Sequence, residues 1–269
     1  MEPSPRPCFN STLLSSIASY QDFIRRNNGH INHNGNLVPV KYSVLASRTD
    51  GVFNYGGDLG LFHQLIVQQD REGLMKYACA CIDVLYSNSV SFGLPLITIS
   101  LVQGDALGGG FEAALSSNVT IAEKSAQFGF PEVLFNLFPG MGAYSLLSRR
   151  ITQRQAEDMI LSGRMYSADE LFDMGLLDKV VEDGAGVDAV YEYVRKMIKK
   201  HNSYQAVLNK VRGVVNPLSY RELEDICSIW VDTALQITKR DLRIVQRIVN
   251  SQNKLTGNDD SENSNQIIA

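Results

Sequence analysis

The chain has 269 residues, of which 44% are hydrophobic, and a formal net charge of −4 at pH 7. This length suits one large domain, or one domain with a smaller helical subdomain. The acidic balance argues against nucleic acid as the main partner, because phosphate binding needs a basic surface. No apolar run approaches the roughly 20 residues of a membrane span, and the N-terminal residues do not have the pattern of a secretory signal.

Cysteine and histidine usage indicates neither disulfides nor a metal site. The four cysteines lie far from metal-site spacing and predict free thiols in a reducing, cytoplasmic compartment; they are Cys8, Cys79, Cys81 and Cys227. His30 and His33 lie among asparagines and a glycine with no third ligand nearby. We therefore expect no bound metal.

Hydrophobic periodicity predicts strands alternating with helices, followed by a run of helices. In chain order we predict a helix over 12–27, a strand over 36–47, a turn-rich loop over 49–59, mostly helix over 61–90, a buried strand over 94–104, a short strand over 118–123, a helix near 142–150, and helices over 153–162, 167–174, 186–200, 203–213 and about 218–253. This pattern favours a mixed α/β core over 1–200 and a helical region over 201–255. The polar tail 256–269 is expected to be disordered.

The segment GDALGGGFEAAL, residues 104–115, follows the buried strand and opens a helix. It does not match a dinucleotide-binding or phosphate-binding glycine pattern, and the carboxylate of Glu112 would repel a phosphate. Glycines at a strand-to-helix turn present free N–H groups at the positive end of a helix, which is how an oxyanion hole is built. A second glycine loop, YGGDL at 55–59, could supply the other N–H group. A turn that merely packs tightly against a neighbouring strand remains the alternative.

A second carboxylate, Glu132, lies in the apolar segment FGFPEVLFNLFPGMGA at 128–143. If it is buried there, its pKa is raised, which suits an acid or base near neutral pH. An exposed glutamate in a loop is the alternative. Two glutamates beside an oxyanion hole fit proton removal next to a thioester carbonyl.

Taken together, these segments resemble the crotonase (enoyl-CoA hydratase/isomerase) superfamily over roughly residues 37–182. The resemblance lies in FNYGGDL (53–59), VQGDALGGGFEAALSSNVTIAE (102–123), FGFPEVLFNLFPGMGA (128–143) and RQAEDMILSGRMYSADELFDMGLLDKVV (154–181). It implies a ββα spiral core with a helical C-terminal region that builds trimers, and no cofactor. It also implies that the N–H groups of Gly57 and Gly109 form the oxyanion hole, while Glu112 and Glu132 match the acid/base positions.

Within the superfamily the chain looks most similar to the bacterial diffusible signal factor synthases, through PRPCFN (5–10), Phe53-Asn54 and Phe111-Glu112. That family has a strand ahead of PRPCFN, so we expect the first strand to be truncated or replaced. The single tryptophan, Trp230, lies on a helical stripe that indicates core or subunit interface. In the synthases a tryptophan in this region lines the acyl pocket, which is the second interpretation.

The resemblance implies an enzyme that dehydrates a 3-hydroxyacyl chain on acyl carrier protein and then hydrolyses the thioester to a free cis-2-unsaturated fatty acid. The individual roles of the two glutamates stay open. An ordinary enoyl-CoA hydratase acting on acyl-CoA is one rival hypothesis. A binding regulator of a signalling protein, such as a sensor kinase, is another. A homotrimer or a dimer of trimers is expected.

Overall fold

The computed structural model describes residues 1–199 and 203–255, so the predicted disorder of 256–269 lies outside the described residues. The helices are α1 (Ser11–Arg26), α2 (Leu59–Val67), α3 (Arg71–Ser89), α4 (Gly109–Leu115), α5 (Ala143–Leu147), α6 (Gln153–Ser162), α7 (Ala168–Asp173), α8 (Gly186–Lys199), α9 (Ser203–Val215), α10 (Tyr220–Ala234) and α11 (Lys239–Leu255). Two short 3₁₀ helices cover Ser91–Gly93 and Pro131–Phe135. Among the described residues, no helix is both long and apolar enough to cross a membrane.

The strands are β1 (His30–His33), β2 (Asn36–Pro39), β3 (Tyr42–Ala46), β4 (Gly51–Asn54), β5 (Ile97–Val102), β6 (Gly104–Leu107), β7 (Val119–Glu123), β8 (Gln127–Gly129), β9 (Met165–Ser167) and β10 (Lys179–Val181). One sheet has the order β10-β7-β5-β3 and is wholly parallel. The other has the order β4-β6-β8-β9, in which only β9 is antiparallel.

From β3 to β8, successive strands alternate between these two sheets. β3, β5 and β7 lie in the first sheet, and the strand that follows each of them lies in the second. Parallel strands need a long crossover, usually a helix, and α3 and α4 serve that purpose here. The result is the predicted spiral of ββα units, and the mixed α/β fold class is confirmed.

Two predicted boundaries differ in the structure. The predicted strand over 36–47 is two strands, because β2 turns away to form an antiparallel hairpin with β1 and ends at Pro39. Proline has no N–H to donate to a ladder, which favours a break at this point. The predicted loop over 49–59 contains β4, whose partner β6 lies about fifty residues further along the chain. In the described residues before α1, only Phe9 makes a bridge, to Gly57.

The C-terminal helices cover the core near its second sheet. The long stretch predicted from 218 to 253 is two helices, because Thr238 begins a new helix in which its hydroxyl and amide donate to Asp241. α10 packs on α3, whereas α11 packs on α2 and the 3₁₀ helix Pro131–Phe135. The predicted helices over 153–162, 167–174, 186–200 and 203–213 correspond to α6, α7, α8 and α9.

Candidate active site

The five residues predicted from the sequence line one cavity of about 250 Å³: Gly57, Gly109, Glu112, Glu132 and Trp230. Two larger clefts, of about 750 and 880 Å³, are lined by none of the five. The smaller cavity therefore brings together groups that lie up to 173 positions apart, as Gly57 and Trp230 do.

The amides of Gly57 and Gly109 are available to a ligand. Gly109 is the first residue of α4, so its N–H has no partner within the helix. Within the part of the chain that the structure describes, neither amide donates a hydrogen bond. The two loops touch, because a Cβ atom placed on Gly56 would lie only 2.7 Å from the nitrogen of Gly109. This close approach explains why glycine is needed at position 56, where φ is also +88°.

The N-terminal segment holds the loop that carries Gly57. The amide of Phe9 donates to the carbonyl of Gly56 at 2.7 Å, and the amide of Tyr55 donates to the carbonyl of Pro7 at 2.7 Å. Both bonds join segments almost fifty residues apart. The segment PRPCFN, which carried part of the sequence resemblance, thus supports the backbone around one predicted oxyanion donor.

Tyr77 of α3 is a residue of the site that the sequence did not reveal. Its buried hydroxyl accepts a hydrogen bond from the amide of Asp58 at 2.6 Å and donates one to the carbonyl of Phe9 at 2.9 Å. It lies beside Gly57, where a Cβ atom would be 3.3 Å from the hydroxyl oxygen. Tyrosine in an ordinary helical run gives no sequence signal for such a contact.

Glu112 is buried within α4, with 1% of the residue exposed. Its Oε1 atom accepts hydrogen bonds from the amides of Met141 and Ala143, both at 2.8 Å. Its Oε2 atom is buried and has no partner among the described residues. Burial is the largest effect on Glu112 and raises its pKa well above the ordinary value, and the charge of Glu132 raises this pKa as well. The hydrogen bonds from the two amides lower it, but by less.

Glu132 lies on the 3₁₀ helix Pro131–Phe135, and its Oε2 atom is also buried without a partner among the described residues. Burial raises the pKa of Glu132 to about 7. Its carboxylate lies over Gly108, where a Cβ atom would be 2.3 Å from Oε1. Of the two predicted alternatives for this glutamate, the structure therefore has the carboxylate shielded from solvent.

Trp230 forms part of an apolar wall of the cavity. Its indole lies 5.3 Å from the ring of Phe62 and covers Gly140, where a Cβ atom would be 2.6 Å from the indole ring. Trp230 thus packs against an apolar cluster of the core and also lines the cavity. The other apolar lining residues include Leu59, Ala78, Leu107, Leu134, Phe135, Leu137, Met141 and Ile248.

Other reactive side chains in the cavity do not provide a nucleophile or a metal centre. Cys81 lines the cavity, but burial raises the pKa of its thiol far above the ordinary value, so the reactive thiolate is suppressed. Within the described ranges, no group of three or more His, Cys, Asp or Glu side chains could hold a metal ion. The polar groups that line the cavity include the two carboxyl groups and the two glycine amides.

Two free amides can stabilise an oxygen that becomes negative, and two carboxyl groups with raised pKa values can transfer protons near neutral pH. This arrangement lies within the ββα spiral described above. A model of the enoyl-CoA hydratase/isomerase family matches residues 38–226. The chain belongs to the enoyl-CoA hydratase/isomerase family.

Comparisons with individual proteins agree with this assignment. The chain is 38% identical to the short-chain-enoyl-CoA hydratase of Clostridium acetobutylicum over 196 residues, which cover 72% of this chain and 69% of that protein. It is 38% identical over 112 residues to the peroxisomal bifunctional enzyme of Cavia porcellus, of which it spans only 15%. The crystal structure of an enoyl-CoA hydratase from Bacillus halodurans has the same fold, with a TM-score of 0.75, 19% identity and coverage of 90% of each chain.

Proposed function

We propose that the protein dehydrates a 3-hydroxyacyl thioester to the 2-enoyl thioester. The observation that carries this proposal is the cavity itself, in which the buried, unpartnered Oε2 atoms of Glu112 and Glu132 share one space with the free amides of Gly57 and Gly109. The thioester oxygen would accept hydrogen bonds from the two amides. These bonds would stabilise the negative charge that the oxygen carries in the enolate. Trp230 and the neighbouring apolar side chains would enclose the acyl chain.

We propose one assignment of the two proton transfers from the surroundings of the two carboxyl groups. Because the pKa of Glu132 is about 7, a substantial fraction of this carboxyl is ionised at neutral pH and can remove the proton from C2. Burial and the charge of an ionised Glu132 both raise the pKa of Glu112, which favours its protonated form beside Glu132 and suits it to protonate the departing 3-hydroxyl. The C2–H and C3–O bonds break, the C2–C3 double bond forms, and water leaves.

We propose further that the same site hydrolyses the thioester and releases a free cis-2-unsaturated acid, as in the diffusible signal factor synthases that the sequence resembles. Before this step, the proton taken from C2 would pass from Glu132 to the ionised Glu112, which restores both carboxyl groups. Glu132 would then take a proton from a water molecule as that water attacks the carbonyl carbon. The two amides would stabilise the tetrahedral oxyanion, and the carrier thiol would leave with a proton. No side-chain nucleophile is needed, which fits the suppressed thiolate of Cys81.

The test is incubation of pure protein with 3-hydroxyacyl chains on acyl carrier protein, followed by mass spectrometry of every product. A free 2-unsaturated acid with a cis double bond is expected. A carrier-bound enoyl product without free acid would contradict the hydrolytic step, and unreacted hydroxyacyl carrier would contradict the dehydration.

An ordinary hydratase of acyl-CoA is the second candidate function, favoured by the similarity to the hydratase of Clostridium acetobutylicum. Turnover of crotonyl-CoA, together with no reaction of carrier-protein substrates, would select this function. Because both reactions use the same carboxyl groups, inactive glutamate variants cannot distinguish them. The substrate's carrier distinguishes them.

We also propose that the protein is a cytoplasmic homotrimer or dimer of trimers. The apolar faces of α10 and α11 pack within the chain, so they do not supply a free interface. α9, in contrast, exposes a set of apolar side chains: Tyr204, Val207, Leu208, Val211, Val214 and Val215. An exposed patch of this kind is typical of a subunit interface.

The proposed cytoplasmic location is supported by the four cysteines, which are free. Free thiols are typical of proteins in a reducing compartment.

A further inference from the structure

The solvent face of α11 is strongly basic. Residues 239–255 contain five basic residues and one acidic residue, in a chain whose net charge is −4. We define the basic ridge as Lys239, Arg240, Arg243 and Arg247, all of which are exposed. Among the described residues, none of the four forms a salt bridge or a side-chain hydrogen bond. Positive charge is therefore concentrated along one helix, on which Asp241 is the one acidic residue.

The acidic residue of this helix offsets only part of the positive charge of the ridge, through its interaction with Arg240. Asp241 is 3% exposed, and its carboxylate accepts the hydroxyl and amide of Thr238 and the side-chain amide of Asn136. The elements packed against α11 add little opposing charge, because α2 contains no acidic residue and the carboxylate of Glu132 is buried. The basic ridge thus presents a net positive field to solvent.

The same helix forms part of the candidate active site. Ile248 and Gln252 of α11 line the cavity. Leu134 lines it as well but is 59% exposed, so the cavity reaches solvent beside the 3₁₀ helix Pro131–Phe135. The side-chain amide of Asn136 donates to Asp241 at 2.9 Å and ties that 3₁₀ helix to the beginning of α11. The basic ridge therefore lies on the helix that adjoins the opening.

We propose that the basic ridge docks an acidic carrier protein, whose tethered acyl thioester enters the cavity beside Leu134. This inference rests on the proposed function, in which the acyl chain arrives on a carrier. Arg240, Arg243 and Arg247 share one helix face and extend over about 10 Å of the axis. A single phosphate would need cations that converge on one point. A row of cations instead matches a partner surface that carries several carboxylates, which steer association.

The experiment compares one 3-hydroxyacyl chain on two carriers, acyl carrier protein and free pantetheine, with the variant Arg243→Glu/Arg247→Glu. Arg26→Glu/Lys41→Glu changes the net charge equally at exposed positions outside the cavity and is the control. Binding of holo acyl carrier protein is measured separately by fluorescence anisotropy, so that docking is tested even if no substrate is turned over.

For the ridge variant, we expect kcat/KM with the carrier-protein substrate and the affinity for the carrier protein to fall about tenfold or more. Turnover of the pantetheine substrate should stay within about twofold, and the control variant should behave like the native protein. Salt should weaken carrier binding in the native protein and hardly affect the ridge variant. Unchanged carrier affinity in the ridge variant would overturn the inference, as would an equal loss with the pantetheine substrate. Inactivity of the native protein on both substrates, with carrier binding intact, would contradict the proposed function alone.

Discussion

The hydroxyl of Tyr77 accepts a 2.6 Å hydrogen bond from the amide of Asp58, the residue that follows the candidate oxyanion donor Gly57. The same hydroxyl donates to the carbonyl of Phe9 at 2.9 Å, so one side chain joins three separate segments of the chain. The loop that carries Gly57 is consequently positioned by contacts remote in sequence. Tyr77 is a positioning residue, since it acts through the loop.

Replacement of Tyr77 by Phe removes both hydrogen bonds and keeps the ring. We expect kcat to fall about 10–100-fold, because a small displacement of a catalytic group has effects of that size. KM should change much less, since the apolar wall is retained. Tyr86→Phe on the same helix is the control, because Tyr86 lines another cleft. Steady-state kinetics on both folded variants is the measurement, and an unchanged kcat in Tyr77→Phe would remove the proposed role.

The variants Glu112→Gln and Glu132→Gln each remove one proton-transfer group and preserve size and polarity. We expect each to lower turnover by roughly 10²–10⁴-fold. Far-ultraviolet circular dichroism should show an unchanged fold. A folded variant with near-native turnover would show that its residue is not an acid or base in the reaction.

The pH dependence of stability should report the burial of Glu132. Its pKa rises from an ordinary 4.5 to about 7 on folding, so the folded state binds more protons than the unfolded state between these values. Its contribution to stability is therefore present below pH 4.5 and is lost as the pH rises through about 7. Glu132→Gln cannot ionise, so we expect this variant to be more stable than the native protein at pH 8, by on the order of 1–3 kcal/mol.

Chemical denaturation at pH 5 and pH 8 measures this difference. The variant and the native protein should have similar free energies of unfolding at pH 5, where the native carboxyl is protonated. A native protein that is the more stable of the two at pH 8 would contradict a buried carboxyl with a raised pKa.

Trp230→Leu should change which acyl chains react. The indole covers Gly140 and contacts Phe62 at the wall of the cavity, so a smaller side chain leaves room for longer chains. Apolar pockets distinguish substrates whose chains differ in length by about 1–3 kcal/mol for each methylene group. We expect the distribution of products, measured by mass spectrometry on a series of chain lengths, to shift toward longer chains. Ile229→Ala, on the exposed side of α10, is the control, and an identical profile in Trp230→Leu would assign Trp230 to packing alone.

The exposed apolar face of α9 should be covered in the oligomer. Light scattering at micromolar concentration should give a trimer or hexamer for the native protein. Val207→Glu/Val211→Glu places two charges on that face and should yield smaller species, because burial of unpaired charge is costly. Leu161→Glu, at an exposed position of α6, should leave the assembly intact. A native monomer would contradict the proposal.

The sequence alone determined the features that short segments encode. The strand, glycine turn and helix over 104–115 place Gly109 and Glu112 three residues apart, so their proximity follows from local geometry. The apolar run that forms β5 and the helices α6 to α9 were likewise predicted, because each has a clear periodicity. The family followed from the combination of several such segments.

Only the tertiary structure decided which remote groups meet. Gly57, Glu132 and Trp230 reach one cavity because the spiral stacks β4, β6 and β8 and the C-terminal helices close over them. Tyr77 had no sequence signal, since its role depends on the segments that it contacts. The basic residues of α11 are visible in the sequence, but their position beside the cavity depends on the tertiary structure. The pKa of Glu132 also depends on folding, because removal of the carboxyl from water, which no local pattern specifies, is what raises it to about 7.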